Sequence, residues 1–169
     1  MASKQPDILL VESDRVLRDL ILLALGREGL QTVHVSEAER AVSLCAHHQP
    51  DIVLLDLLAD YADGLNLIRD MRAVLPASSA VVVISSLAFD EVVRQVVKAG
   101  ANDFILKPLD VKVLVEKVKH GLECSQDSAR KAQESRIVDL VEHDAPTLID
   151  TANSSGTIRP WVPGAISTA

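Results

Sequence analysis

Between Asp7 and about Leu122 the chain alternates between two hydrophobic periods, and this restricts its fold more than any other feature. Short apolar runs stand at Ile8–Val11, Thr32–Val35, Ile52–Leu55, Val81–Ile84 and Phe104–Leu106. Each has strand length, and three are unbroken runs of β-branched or Leu residues, as expected for strands covered on both faces. Between them lie stretches with helical spacing. The first, Val16 to Ala24, is predicted to stop near Gly26 and Gly29. The second, Ala38 to Cys45, follows Ser36-Glu37-Ala38-Glu39, which reads as a capping box. The third, Leu65 to Met71, should end before Pro76, and the fourth, Val92 to Val97, at Gly100. The fifth, Val111 to Val118, should stop near Gly121.

Five strands alternating with five helices predict an α/β fold, an open, doubly wound parallel sheet with helices on both faces. The domain should span residues 7–122, after a short arm at 1–6. Residues 123–143 are polar, with weak helical spacing, and read as a helical extension. Residues 144–169 are rich in Pro, Gly, Ser and Thr, carry the lone Trp161, and read as a disordered tail.

Composition excludes several classes of function. A net charge of −7 argues against a broad nucleic-acid surface, and 2% aromatics are too few for base-stacking platforms. Across residues 123–169 seven acidic residues outnumber Arg130, Lys131, Arg136 and Arg159, so this stretch is not a basic arm. Two cysteines, Cys45 and Cys124, exclude a disulfide scaffold and a four-cysteine zinc site. No apolar run reaches the ~18 residues of a membrane span, and no secretory signal opens the chain. A soluble, cytoplasmic protein is expected. The histidines, His47 and His48 among them, show no metal-ligand spacing.

In doubly wound folds the ligand site lies beyond the carboxyl ends of the strands. There the sequence puts Glu12, Ser13 and Asp14 after the first run, Asp56 after the third, Ser85 and Ser86 after the fourth, and Lys107-Pro108 after the fifth. Carboxylates, a hydroxyl and an ammonium converging on one pocket suit phosphoryl handling. Clustered carboxylates attract a hard cation such as Mg²⁺, an Asp can be a nucleophile toward phosphorus, and Lys supplies a point charge. Each residue also has a plain reading. Asp56 could be a polar strand end, Lys107 a surface charge, and Ser85 or Ser86 a cap of the next helix. Asp14 is read first as an N-terminal charge on the first helix. The joint occurrence at four strand ends favours a site.

These residues resemble the receiver domain of two-component response regulators. The segment Pro50 to Leu58, then Asp63-Gly64-Leu65, is similar to that family's phosphoacceptor region. Val81 to Ser86 resembles its hydroxyl-bearing strand, and Ala99 to Pro108 its Lys-Pro strand, where the bond before Pro is usually cis. The resemblance implies a flavodoxin-like (βα)5 fold with strand order 2-1-3-4-5. It implies that Asp56 accepts a phosphoryl group from a histidine kinase or phosphotransfer protein, assisted by Lys107 and Ser85. Mg²⁺ would be held by Glu12, Asp56 and the backbone carbonyl of Leu58, and Ser85 and Phe104 would be switch residues. Such a chain is a phosphoacceptor rather than a turnover enzyme. Its output would be contact with a downstream protein or a homodimer, with no direct nucleic-acid or membrane binding. Where the family usually has a second adjacent acidic residue, this chain has Ser13. A hydroxyl is a poorer Mg²⁺ ligand than a carboxylate. Mg²⁺ is therefore expected to bind weakly, with Ser13 or Asp14 as an open third ligand. The alternative is a pseudo-receiver that acts without phosphorylation.

Overall fold

The computed structural model describes residues 7–57, 61–87 and 89–143, with side chains through Ser128 and at Lys131. The arm at 1–6, the residues at 144–169 and Leu58 with its carbonyl lie outside the described residues. The chain divides into two compact units, 1–130 and 131–169.

The first unit is a five-stranded parallel sheet in the order β2-β1-β3-β4-β5. Its strands are β1 (Ile8–Val11), β2 (Thr32–Val35), β3 (Ile52–Asp56), β4 (Ala80–Ser85) and β5 (Asp103–Leu106). The helices are α1 (Arg15–Arg27), α2 (Ala38–His48), α3 (Tyr61–Val74), α4 (Asp90–Ala99) and α5 (Val111–His143). This is the doubly wound arrangement expected from the alternating pattern, in the flavodoxin-like strand order that the resemblance implies.

The unbroken apolar runs supply both faces of the sheet. Side chains alternate along a strand, so Ile8, Leu10, Ile52, Leu54, Val82 and Ile84 enter one core, with Ile21 and Leu25 of α1 and Leu114 and Val118 of α5. Leu9, Val11, Val53, Leu55, Val81 and Val83 enter the other, under α2, α3 and α4. The three central strands are buried on both sides, as parallel strands require. Truncating one of these side chains to Ala costs about 2–5 kcal/mol, so the core fixes the strand register, and the register fixes the strand ends.

Two local expectations are corrected. The capping box does not form: α2 begins after Glu37, and no side chain caps it. The Ser36 side chain therefore stands one position before the cap and cannot meet the free N–H groups of the first turn. The first helix does stop near Gly26 and Gly29: α1 ends at Arg27, and Gly29 makes the turn with φ +73°. Gly121 does not stop α5, which runs on through it. A Cβ at Gly121 would lie 2.5 Å from Ile52 Cδ1, so this glycine lets the helix approach β3 closely. Gly100 does end α4, in a left-handed conformation with φ +119°. It is followed by an Ala101 N–H that donates to the Val96 carbonyl.

Candidate functional site

The site forms at the carboxyl edge of the sheet, where the chain passes from β1 outward to β2 and returns to β3. Asp56 and Ser85 are the last residues of their strands, in ladder positions opposite Ile84 and Leu106. Glu12 follows β1 directly, and its N–H donates to the Val35 carbonyl of β2. Lys107 follows β5, and its N–H donates to the Ser85 carbonyl at 2.8 Å. The Lys107–Pro108 bond is cis. Four backbone anchors thus bring side chains from four strands to one edge.

Lys107 Nζ lies 2.7 Å from Asp56 Oδ1 and 3.9 Å from Glu12 Oε2. Glu12 is fully buried, whereas Asp56 and Lys107 keep 13% and 24% side-chain exposure. The carboxyl nearest solvent is therefore the one a donor can reach. Oε1 of Glu12 accepts from the Asp14 N–H at 2.7 Å, but Oε2 is buried with no hydrogen-bond partner. Burial pushes the Glu12 carboxyl above its ordinary value, and the neighbouring Asp56 carboxylate adds to this. The Asp14 N–H and the Lys107 ammonium hold it down. With Lys107 Nζ no closer than 3.9 Å, an oxygen that accepts no hydrogen bond in a buried carboxyl is costly unless a proton or a closer cation covers it.

That orphaned oxygen decides whether the residues suit Mg²⁺. Glu12 and Asp56 provide two hard oxygen donors of opposite sign to the ion, one with an unused lone pair, and they fit. The fit is incomplete. Ser13 is exposed, and Asp14 is occupied elsewhere: its carboxylate caps α1, accepting from the Val16 and Leu17 N–H groups at 2.8 and 2.9 Å. Those two bonds hold its pKa below the ordinary value. The helix-terminus reading of Asp14 describes its position. Among the described residues no cluster of three or more His, Cys, Asp or Glu is placed to hold a metal.

Ser85 is buried, and its Oγ accepts from the Leu87 N–H at 3.0 Å. It therefore folds back onto its own loop. Neither Ser85 nor Ser86 caps α4, whose N-cap is Phe89 without a side-chain bond. Phe104 is half-buried against the core beneath α4.

Two supports escaped the sequence. The His34 Nε2 lies 2.8 Å from the Glu12 carbonyl; a carbonyl only accepts, so the imidazole donates from that nitrogen. It holds the backbone of the buried acid. Tyr61 hooks α3 to α4, with its hydroxyl 3.3 Å from the Val92 carbonyl and 3.4 Å from Gln95 Oε1. Neither has a local signal, since each contact joins residues remote in the chain.

A model of the response regulator receiver domain matches residues 8–119. The chain belongs to this family. It is 33% identical over 162 residues to the transcriptional regulatory protein AruR of Pseudomonas aeruginosa, a match covering 88% of this chain and 65% of that protein. It is 32% identical over 155 residues to the DNA-binding response regulator MtrA of Mycobacterium tuberculosis, covering 90% and 65%. The chain thus spans about 65% of the length of these curated relatives. A response regulator from Thermotoga maritima superposes with a TM-score of 0.64 at 28% identity, over 70% of this chain and 98% of that one. The BeF3-activated N-terminal receiver domain of RstA from Klebsiella pneumoniae gives 0.62 at 32% identity, over 69% and 97%. No helix among the described residues is long and apolar enough to cross a membrane.

Proposed function

We propose that Asp56 of this receiver accepts a phosphoryl group from the phosphohistidine of a histidine kinase or phosphotransfer protein. The observation that carries this reading is the 2.7 Å contact between Lys107 Nζ and Asp56 Oδ1, with Glu12 buried beside them. An oxygen of Asp56 attacks phosphorus, the bond from phosphorus to the donor imidazole nitrogen breaks, and the imidazole leaves with the bonding electron pair. Phosphoryl transfer asks for positioning and charge neutralisation above all. Lys107 supplies one positive charge at the oxygen that reacts and keeps its partner when that oxygen becomes an acyl phosphate. Mg²⁺, held by Glu12 and Asp56, would neutralise phosphoryl charge. The chain is then a phosphoacceptor that assists its own modification, not a turnover enzyme.

The new phosphoryl group carries more negative charge than the carboxylate it replaces, and it biases a two-state element. Ser85 is poised for this: its hydroxyl can leave the Leu87 N–H and donate to a phosphoryl oxygen. Phe104, half-buried two residues before Leu106, would repack with the same movement. The output is a changed protein-binding surface. MtrA is named a DNA-binding response regulator; the output proposed for this chain is contact with a protein.

Ser13 and Asp14 support a second reading. With Ser13 exposed and Asp14 engaged as a cap, Glu12 and Asp56 are the two carboxylates that face the site among the described residues, which suits a phosphorylation-independent pseudo-receiver. Transfer from a phosphorylated histidine phosphotransfer protein separates the two. The phosphoacceptor reading expects Mg²⁺-dependent movement of label to wild type and none to Asp56→Asn. Absence of label at every Mg²⁺ concentration, with label regained in Ser13→Asp, would establish the pseudo-receiver.

A further inference from the structure

At the opposite end of the sheet from Asp56, a cleft of about 480 Å³ opens between the starts of β4 and β5 and helix α5. His120 and Cys124 line it, one helical turn apart, together with the almost fully buried Ser125. Both are exposed, and Cys124 Sγ lies 3.7 Å from His120 Nε2. The geometry points to a chelate for a thiophilic divalent cation of the zinc class.

The separation is the first reason. With Zn–S near 2.3 Å and Zn–N near 2.0 Å, two ligands at a tetrahedral angle stand about 3.5 Å apart. The observed 3.7 Å pair is within a few tenths of an ångström of that edge, so little side-chain movement is needed. A cation would take the place of the proton these two atoms share.

The surrounding charges are the second reason. Two lysines that precede the pair on α5 are each neutralised: Lys117 Nζ lies 2.6 Å from Asp103 Oδ1, and Lys119 Nζ lies 2.6 Å from Glu28 Oε2. Lys117, the ammonium among the described residues that line the cleft, is therefore paired rather than free to repel a dication. Other candidates lack convergence. His47 and His48 are adjacent and project from different sides of α2, and His47 Nδ1 is 2.8 Å from the Ser43 carbonyl. Cys45 is fully buried, and burial pushes its thiol up to about 11.

Binding forms one metal–sulfur and one metal–nitrogen bond, and the Cys124 thiol proton passes to solvent. Water completes the coordination, because no third His, Cys, Asp or Glu joins the pair among the described residues. The chelate ties one helical turn immediately after Gly121. Glycine is the residue at which a helix is weakest apart from proline, by about 1 kcal/mol relative to Ala. Metal binding would brace α5 where it is least helical by composition. This inference does not depend on phosphorylation of Asp56.

The test is titration of the full chain with Co²⁺ under a non-thiol reductant and saturating Mg²⁺, followed by displacement with Zn²⁺. Oxygen ligands at the acidic pocket give no thiolate charge-transfer absorption, so that near-ultraviolet band reports sulfur alone. The expected result is a band saturating at one Co²⁺ per chain and erased by Zn²⁺. It should be lost in Cys124→Ser and at least about tenfold weaker in affinity in His120→Ala, since even outer-shell partners of a metal cost about that much. Both side chains are exposed, so the metal-free variants should melt with wild type. No band in wild type, or a His120→Ala titration matching wild type, would overturn the chelate.

Discussion

Lys107 Nζ and Asp56 Oδ1 stand 2.7 Å apart although their strands, β5 and β3, are separated by the whole of β4. The lysine spans that gap at the strand ends, where its main-chain N–H is pinned to Ser85. Replacing it by alanine should leave the fold intact, because no core side chain is lost. Phosphorylation of Asp56 should slow about 100-fold, the usual loss when one preorganised donor to developing charge is removed. Stopped-flow or quench assays with acetyl phosphate measure this, and an unchanged rate would remove Lys107 from the chemistry.

Ser13 marks the missing third ligand. Ser13→Asp adds a carboxylate beside Glu12 and should lower the Mg²⁺ concentration needed for half-maximal phosphorylation. It should also destabilise the Mg²⁺-free protein, since a third negative charge joins two that already repel. Thermal melts with and without Mg²⁺ should therefore diverge more for Ser13→Asp than for wild type.

Asp14 is expected to behave as a helix cap. Asp14→Ala removes the acceptor for the Val16 and Leu17 N–H groups and should lower the melting temperature, while Asp14→Asn keeps most of it. Neither should change the Mg²⁺ requirement. The pKa of Asp14 is depressed in the fold, so its ionic contribution is present above the ordinary carboxylate range and fades as pH falls through the folded value. The gap between wild type and Asp14→Asn should therefore narrow in acid.

The two cysteines should separate cleanly. Burial raises the Cys45 thiol to about 11, so it stays protonated and enclosed, whereas Cys124 is exposed. One equivalent of a thiol reagent should react quickly with the native chain and the second only on unfolding. A raised thiol pKa favours the fold below the unfolded value near 9 and loses that advantage as pH rises toward 11. Cys45→Ala should lack this alkaline loss.

Gly100 should not tolerate a side chain. Its φ is +119°, and an added Cβ would lie 2.5 Å from Arg72 Cγ. Arg72 cannot yield easily: it donates to the Gly100 and Ser79 carbonyls at 2.7 and 2.8 Å and to Asn102 Oδ1. Gly100→Ala is expected to cost about 1–3 kcal/mol from the strained backbone alone, measured by urea denaturation.

Much of this protein is readable from order and spacing, and the reasons are physical. Ile52 to Leu55 and Val81 to Ile84 are continuous because both sheet faces are covered, so the strands and their ends stand out. Asp56, Ser85, Lys107 and Glu12 follow from those ends. Ser36 and Gly121 misled because a cap residue and a packing glycine look alike to a local rule; their meaning depends on where the helix meets the sheet. The Arg72 bonds to Gly100 and Asn102 and the His34 bond to Glu12 had no signal, since they join residues that only the fold brings together.

Intact-protein mass spectrometry after incubation with acetyl phosphate, with and without Mg²⁺, would decide whether the acidic pocket works as a phosphoacceptor. One phosphoryl adduct should form on wild type with Mg²⁺, diminish without it, and vanish in Asp56→Asn. An adduct that persists in Asp56→Asn, or its absence from wild type at saturating Mg²⁺ and short reaction times, would contradict phosphorylation at Asp56.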